Sequence, residues 1–162
     1  MRLLSFDQSS VSTGWVVFDN DKYIEHGLIN LTKIKDKDQK FKVMTDEIRQ
    51  KIIAEDPDLV LLEGVMLMRS PAVMEMLAKL QGIIIGYCQA LSIPYEIYHP
   101  ATWRSVLKFQ TKGQKRADLK QQAIDRVAEA FGLTVQTDEA DAICIAMAHI
   151  LKSGGKIDGN EN

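Results

Sequence analysis

Four acidic residues stand where an acid is costly unless it is used. Asp7 directly follows the apolar residues Leu3, Leu4 and Phe6, and Glu63 ends the continuous apolar run Leu59, Val60, Leu61, Leu62. Asp138 and Asp141 open a helical pattern three residues apart, so their side chains share one helix face. Strand ends and helix starts are where α/β folds assemble their sites. If the strand before Asp7 and the strand before Glu63 are central neighbours, all four carboxylates can converge. Converging carboxylates repel one another and resist burial, and a divalent cation relieves that cost. All-oxygen ligands favour Mg²⁺ or Mn²⁺ over zinc or copper. Two such ions about 4 Å apart serve phosphodiester hydrolysis by activating water and stabilising the leaving oxygen. That is the chemistry to which the acids point.

Plainer readings exist for each acid. Asp138, Glu139 and Asp141 also suit the first turn of a helix capped by Thr137, where negative charge meets the helix dipole. An aspartate after a strand, as at Asp7, is often a turn residue. Glu63 is harder to explain away, with apolar neighbours on both sides. The stretch from Gln8 to Gly14 carries Ser9, Ser10, Ser12 and Thr13. It reads either as a polar hairpin turn or as a small, hydroxyl-rich turn that lets a phosphate or sugar come close.

The elements that must position these residues are legible from periodicity. Residues 3–6, 11–18 and 22–29 read as strands, the last two joined by a bend at Asp19, Asn20 and Asp21. Residues 38–55 are amphipathic, with Phe41, Met44, Ile48 and Ile52 at helical spacing. Pro57 ends that helix, and residues 59–62 read as a strand buried on both faces. Ser70 and Pro71 are a cap and a first helical residue. The stripe Met74, Leu77, Leu80, Ile84, Tyr87 and Leu91 follows, with Gly82 and Gly86 open to close approach by another helix. Residues 94–98 make a further strand and Pro100 opens a short helix through Val106. Helices over 115–131 and from Thr137 to about Leu151 complete the pattern. Strands first, then strands alternating with helices, predict a mixed sheet flanked by helices. Residues 1–152 read as one domain and 153–162 as a frayed, flexible tail.

Composition bounds the rest. The 162 residues are 46% hydrophobic and 26% charged, which excludes a disordered chain. Twenty basic against twenty-two acidic side chains exclude a protein basic throughout, so an anion-binding surface must be local. Residues 101–126 hold seven cations (Arg104, Lys108, Lys112, Lys115, Arg116, Lys120, Arg126) against Asp118 and Asp125, a net +5, leaving −7 for the remainder. That segment is either a solvated helix face or a phosphate-binding surface. Cys88 and Cys144, 56 residues apart without a CxxC, read as reduced, buried thiols. No membrane span or signal-peptide core is visible, which predicts a soluble cytoplasmic protein. His149, eight residues past Asp141 and about 12 Å along the helix, reads as structural; His99 reads as a loop residue, and Tyr95, Tyr98 and Trp103 as core.

Taken together, the Asp7 motif with Gly14, the strand end at Glu63, the Ser-Pro helix with its small residues, and Asp138-Glu-Ala-Asp141-Ala-Ile with His149 resemble the RuvC family of Holliday-junction resolvases. The resemblance runs from about residue 1 to 151, in the family's order and approximate spacing, and is strongest to the phage-encoded branch. It implies an RNase H-like fold, a five-stranded mixed sheet with flanking α-helices. It further implies a homodimer that cuts four-way and other branched DNA with Mg²⁺, two ions with Mn²⁺ as a substitute, inside the bacterial host cell if phage-encoded. Asp7, Glu63, Asp138 and Asp141 match the family's metal-binding acids. Arg104 falls near one functional lysine of the family, and Lys115 or Arg116 near another; Lys115 is carried forward as the catalytic cation. Met66 falls where bacterial members place a wedging aromatic, and offers apolar bulk without a flat face to stack. With Lys108, Lys112, Lys120 and Arg69, these form the candidate DNA-binding set. The chain departs from the family at Gln8, Ser9 and Ser10, where the motif's proline and glycine are absent. The helix 71–91 is the candidate dimer face through Met74, Leu77, Gly82 and Ile85, a fully buried core helix being the other reading. Two rival functions remain. Half of a sugar-kinase or ATPase would need a second phosphate loop, which is not visible. A non-catalytic branched-DNA-binding protein on a nuclease scaffold would gain nothing from grouped acids. No motif speaks to an accessory motor protein.

Overall fold

The computed structural model describes residues 1–66 and 70–157. Its centre is a five-stranded sheet in the order β3-β2-β1-β4-β5, formed by β1 (Arg2–Asp7), β2 (Ser12–Asp19), β3 (Lys22–Asn30), β4 (Leu59–Glu63) and β5 (Tyr95–Tyr98). The first three strands run antiparallel, while β4 and β5 join parallel to β1. The mixed sheet expected from the strand pattern is present, and β1 and β4 are its central neighbours.

The β2–β3 bend has Asn20 at φ 47° and Asp21 at φ 66°. Positive φ at both central residues defines the turn whose twist matches a hairpin, and Asn and Asp tolerate it best. Helix α1 (Lys37–Glu55) starts where the Asp36 carboxylate accepts the Gln39 N–H at 2.7 Å. Helix α2 (Pro71–Ala90) starts at Ser70 with proline in its first turn, as read. Three further helices follow: α3 (Pro100–Val106), α4 (Arg116–Phe131) and α5 (Thr137–Lys152).

Alternation along the strands separates two cores. Leu4, Phe6, Val17, Val60 and Leu62 face α1 and α2. Leu3, Val16, Phe18, Leu59 and Leu61 face the other way, toward α3, α4 and α5. By the same period of two, Asp7 and Glu63 belong to the second face. Helix α5 fills it: eleven consecutive residues, from Ala140 to Ile150, are buried, and the helix packs on β1, β2, α3 and α4. A helix apolar all round belongs inside.

Several expectations change. The cap of α5 is Gln136 rather than Thr137; its N–H donates to the Glu139 carboxylate at 2.9 Å. Helix α2 is amphipathic rather than a fully buried core helix: only Leu80, Ile84 and Cys88 are buried. Gly82 and Gly86 face open space, so among the described residues no helix uses the approach they allow. Past α5, where composition predicts a frayed tail, Gly155 N–H bonds the Ile150 carbonyl at 2.9 Å and Ile157 packs on the core. Both cysteines are free and buried as expected, and burial pushes the Cys88 thiol up to about 11. Tyr98 and Trp103 lie in the core, and His149 bonds the Tyr98 hydroxyl at 3.1 Å there.

Candidate active site

Register sets the first two acids side by side. In the parallel β1–β4 pair Phe6 stands opposite Leu62, and one step further the strands end in Asp7 and Glu63. Across the other edge of β1, Asp7 pairs with Gly14. A Cβ on Gly14 would collide with the Asp138 carbonyl and lie 2.6 Å from the Glu139 nitrogen. Glycine is required there because the first turn of α5 rests directly on the β2 backbone. That contact delivers Asp138 and Asp141 beside Asp7, and all four acids line one cleft of about 430 Å³.

The cleft is electrostatically loaded. Asp7 is held well above the usual carboxylate range, chiefly by burial, then by the charges of Glu63, Asp141 and Asp138. Burial likewise lifts Asp141 to about 6, against the pull of Lys120. One Asp141 oxygen, Oδ1, is buried without a hydrogen-bond partner. Lys120 Nζ lies 3.2 Å from Asp138 Oδ1 and 3.5 Å from Asp141 Oδ2. Among the described residues no three acids, histidines or cysteines stand in ready-made ligand geometry; the ammonium is the cation between two of them. An orphaned buried carboxylate oxygen, a carboxyl destabilised by three like charges and an all-oxygen donor set fit a hard divalent cation.

The basic segment lines the same cleft. Arg104 of α3 and Arg116 and Lys120 of α4 line the cleft. Arg116, Leu119, Lys120 and Ala123 follow the i, i+3, i+4, i+7 spacing of one helix face, and that face meets α5. Lys115 does not share it. It is the exposed N-terminal cap of α4, its N–H held by the Asp118 carboxylate at 2.8 Å, and it does not line the cleft. The cation set against the acids is Lys120, whereas Lys115, read from sequence as the catalytic cation, stands outside the cleft. Lys108 and Lys112 are exposed on the α3–α4 connection, outside the cleft. Met66 is exposed at the cleft's edge, and Arg69 falls outside the described residues.

Two of the four hydroxyls after Asp7, those of Ser9 and Thr13, are engaged within the loop. Ser9 Oγ donates to the Ser12 carbonyl and accepts from the Val11 and Ser12 amides. Thr13 Oγ1 accepts the Ser9 N–H and donates to the Ser9 carbonyl. This supports the hairpin-turn reading; neither hydroxyl is spare for a phosphate. Two residues not assigned to the site touch Glu63 instead: Gln8 bonds its backbone and Trp103 its carboxylate. A glutamine after Asp7 gives no sequence signal. Trp103 stood beside Arg104 in a helix next to the site, but its indole N–H was not counted as a donor.

The fold is similar to that of Thermus thermophilus RuvC in complex with a Holliday junction substrate, with TM-score 0.76 and 14% identity over 95% of this chain and 96% of that one. It is also similar to the fowlpox virus resolvase in complex with substrate Holliday junction DNA, with TM-score 0.67 and 18% identity over 96% and 100%. Residues 3–149 match the family model described as crossover junction endodeoxyribonuclease RuvC; the chain belongs to that family. Among its relatives are the RuvC of Chromobacterium violaceum, 29% identical over 96% of this chain and 89% of that protein, and that of Caldicellulosiruptor saccharolyticus, 27% identical over 94% of each.

Proposed function

We propose that this protein is a structure-selective endonuclease that resolves four-way DNA junctions by metal-dependent phosphodiester hydrolysis. The observation that carries this is the convergence of Asp7, Glu63, Asp138 and Asp141, from three separate elements, in a cleft also lined by Arg104, Arg116 and Lys120. Acids alone would repel a phosphate and cations alone would only bind it. The four acids hold Mg²⁺, two ions in the full set, with Mn²⁺ able to substitute. When bound, the ions supply Lewis acidity to the phosphate and its leaving oxygen. Lys120 is placed to neutralise charge growing on the phosphate oxygens, and Arg104 and Arg116 orient the strand. Lys108 and Lys112, outside the cleft, contact the flanking backbone, and exposed Met66 meets the bases at the branch.

Homodimerisation goes with this reading, because a junction has two strands to cut. The outer face of α2 fits the role: Gly82 and Gly86 are bare there. Light scattering of the purified protein should give twice the chain mass at micromolar concentration.

The decisive assay offers the protein a synthetic four-way junction and a matched linear duplex with Mg²⁺, Mn²⁺ or EDTA. Paired, metal-dependent nicks in the junction and an intact duplex are expected. The Asp7→Asn variant should bind the junction and not cut it. Tight binding without cutting by the wild-type protein in either metal would make it a branched-DNA binder and overturn the reading.

A further inference from the structure

Glu63 is the most constrained of the four acids. The β1–β4 ladder pairs residues only as far as Phe6 and Leu62, while β5 still pairs with β4 at Glu63 through Tyr98, so the edge of Glu63 that faces β1 has no strand partner. The Gln8 side chain continues the ladder. Its Nε2 donates to the Glu63 carbonyl at 2.6 Å, and the Glu63 N–H donates to Gln8 Oε1 at 3.1 Å. A primary amide carries one donor group and one acceptor in the spacing of a peptide, so it can stand in for a strand residue. The backbone of Glu63 is thereby fixed to the same segment that carries Asp7.

Its carboxylate is fixed from the other side. Trp103 Nε1 donates to Glu63 Oε1 at 3.1 Å. The indole cannot follow a moving partner: Trp103 is fully buried, stacked edge-on against Phe109 at 5.4 Å, and covered by the Arg104 guanidinium at 4.7 Å. Glu63 Oε2 has no hydrogen-bond partner among the described residues. We infer that Gln8 and Trp103 form a bracket that presents Glu63 to the metal through one oxygen, Oε2, and that Trp103 thereby selects Mg²⁺ against Ca²⁺. This rests on the metal-nuclease reading above. Mg²⁺ takes six ligands in rigid octahedral geometry, whereas Ca²⁺ takes six to eight and readily accepts both oxygens of one carboxylate. Engaging Oε1 on the indole withholds the bidentate mode. Hydrogen bonds behind metal ligands are worth about ten- to hundredfold in metal affinity. Gln8 and Trp103 are positioning residues, since neither reaches the phosphate.

The test is metal binding by the full chain without DNA, read by calorimetry with Mg²⁺ or Ca²⁺. Trp103→Phe should weaken Mg²⁺ about tenfold and shift the Ca²⁺-to-Mg²⁺ affinity ratio several-fold toward Ca²⁺. Gln8→Met keeps the length and loses both bonds; it should weaken both ions by a similar factor, because it loosens the backbone without freeing Oε1. A Trp15→Phe background leaves Trp103 as the chain's one indole. There, Mg²⁺ should shift the Trp103 emission, because the acceptor of its N–H becomes a metal ligand. That readout keeps the inference testable if Trp103→Phe does not fold. An unchanged ion ratio in folded Trp103→Phe, or an emission blind to saturating Mg²⁺, overturns the bracket while leaving the nuclease intact. A wild-type protein that binds no Mg²⁺ and cuts no junction overturns both.

Discussion

Removing the charge of Asp141 should make the metal-free protein more stable while ending its activity. Asp141 is buried, and its carboxyl is lifted from 3.8 to about 6 by burial and by Glu63, despite Lys120. A lift of about two units costs the ionised native state roughly 3 kcal/mol. Asparagine removes that cost but brings a buried amide with imperfect partners of its own, so about half should remain as net gain. For a domain of this size, 1–2 kcal/mol corresponds to a rise of about 3–6 °C in Tm. The sign follows from linkage. Below pH 3.8 the carboxyl is protonated in both states and the penalty is absent; it accrues as pH rises, and is complete above about 6. Asp141→Asn should therefore melt well above wild type near pH 7.5 in EDTA, with the gap closing near pH 4.5. Mg²⁺ should raise the wild-type Tm and leave the variant unmoved. Thermal melts across pH, with and without metal, check all three points. A variant that melts below wild type at pH 7.5, or a gap that ignores pH, would refute the claim that electrostatic strain is stored at this acid.

Gly14→Ala drives a methyl into the Asp138 carbonyl; it should cost about 1–3 kcal/mol and cut Mg²⁺-dependent cleavage more than stability alone explains, as melts and a junction assay would show. Lys120→Met should lower single-turnover cleavage by about 10²-fold with junction affinity nearly kept, whereas Lys115→Met should change the rate little. Lys112→Ala should weaken junction binding uniformly across sequences and reduce the slope of log affinity against log salt by about 1, measured by titration at several salt concentrations.

Where one residue's environment is set by chain periodicity, the sequence already told the story. The acids at Asp7 and Glu63 could be placed because a strand end is readable from the apolar run before it. Asp138 and Asp141 could be placed because a spacing of three is a shared helix face. Lys120 was readable in principle: it follows Leu119 and precedes Ala123 on the apolar stripe of α4, the face that must meet the core. Family spacing points to Lys115 instead, because the loop before α4 differs in length from the family's. Gln8 and Trp103 were beyond reach for another reason. Their bonds to Glu63 span 55 and 40 residues, and no local pattern carries a hydrogen bond between distant side chains. The self-satisfied Ser9 and Thr13 hydroxyls belong to the same class on a shorter scale. Composition leaves open whether such hydroxyls serve a turn or a ligand, and only the loop's path shows these two engaged within it.

Helix α5 has a consequence for the birth of the protein. It fills the interior of one layer and also delivers two of the four acids, and it comes last among the described elements. A chain cut short or released before residue 137 therefore loses its core and its reactive centre in one stroke. Such a fragment has exposed apolar strands for a protease to find, and no assembled means of cutting DNA. Synthesis order thus acts as a safety catch: strand-cutting ability appears only once the interior has closed.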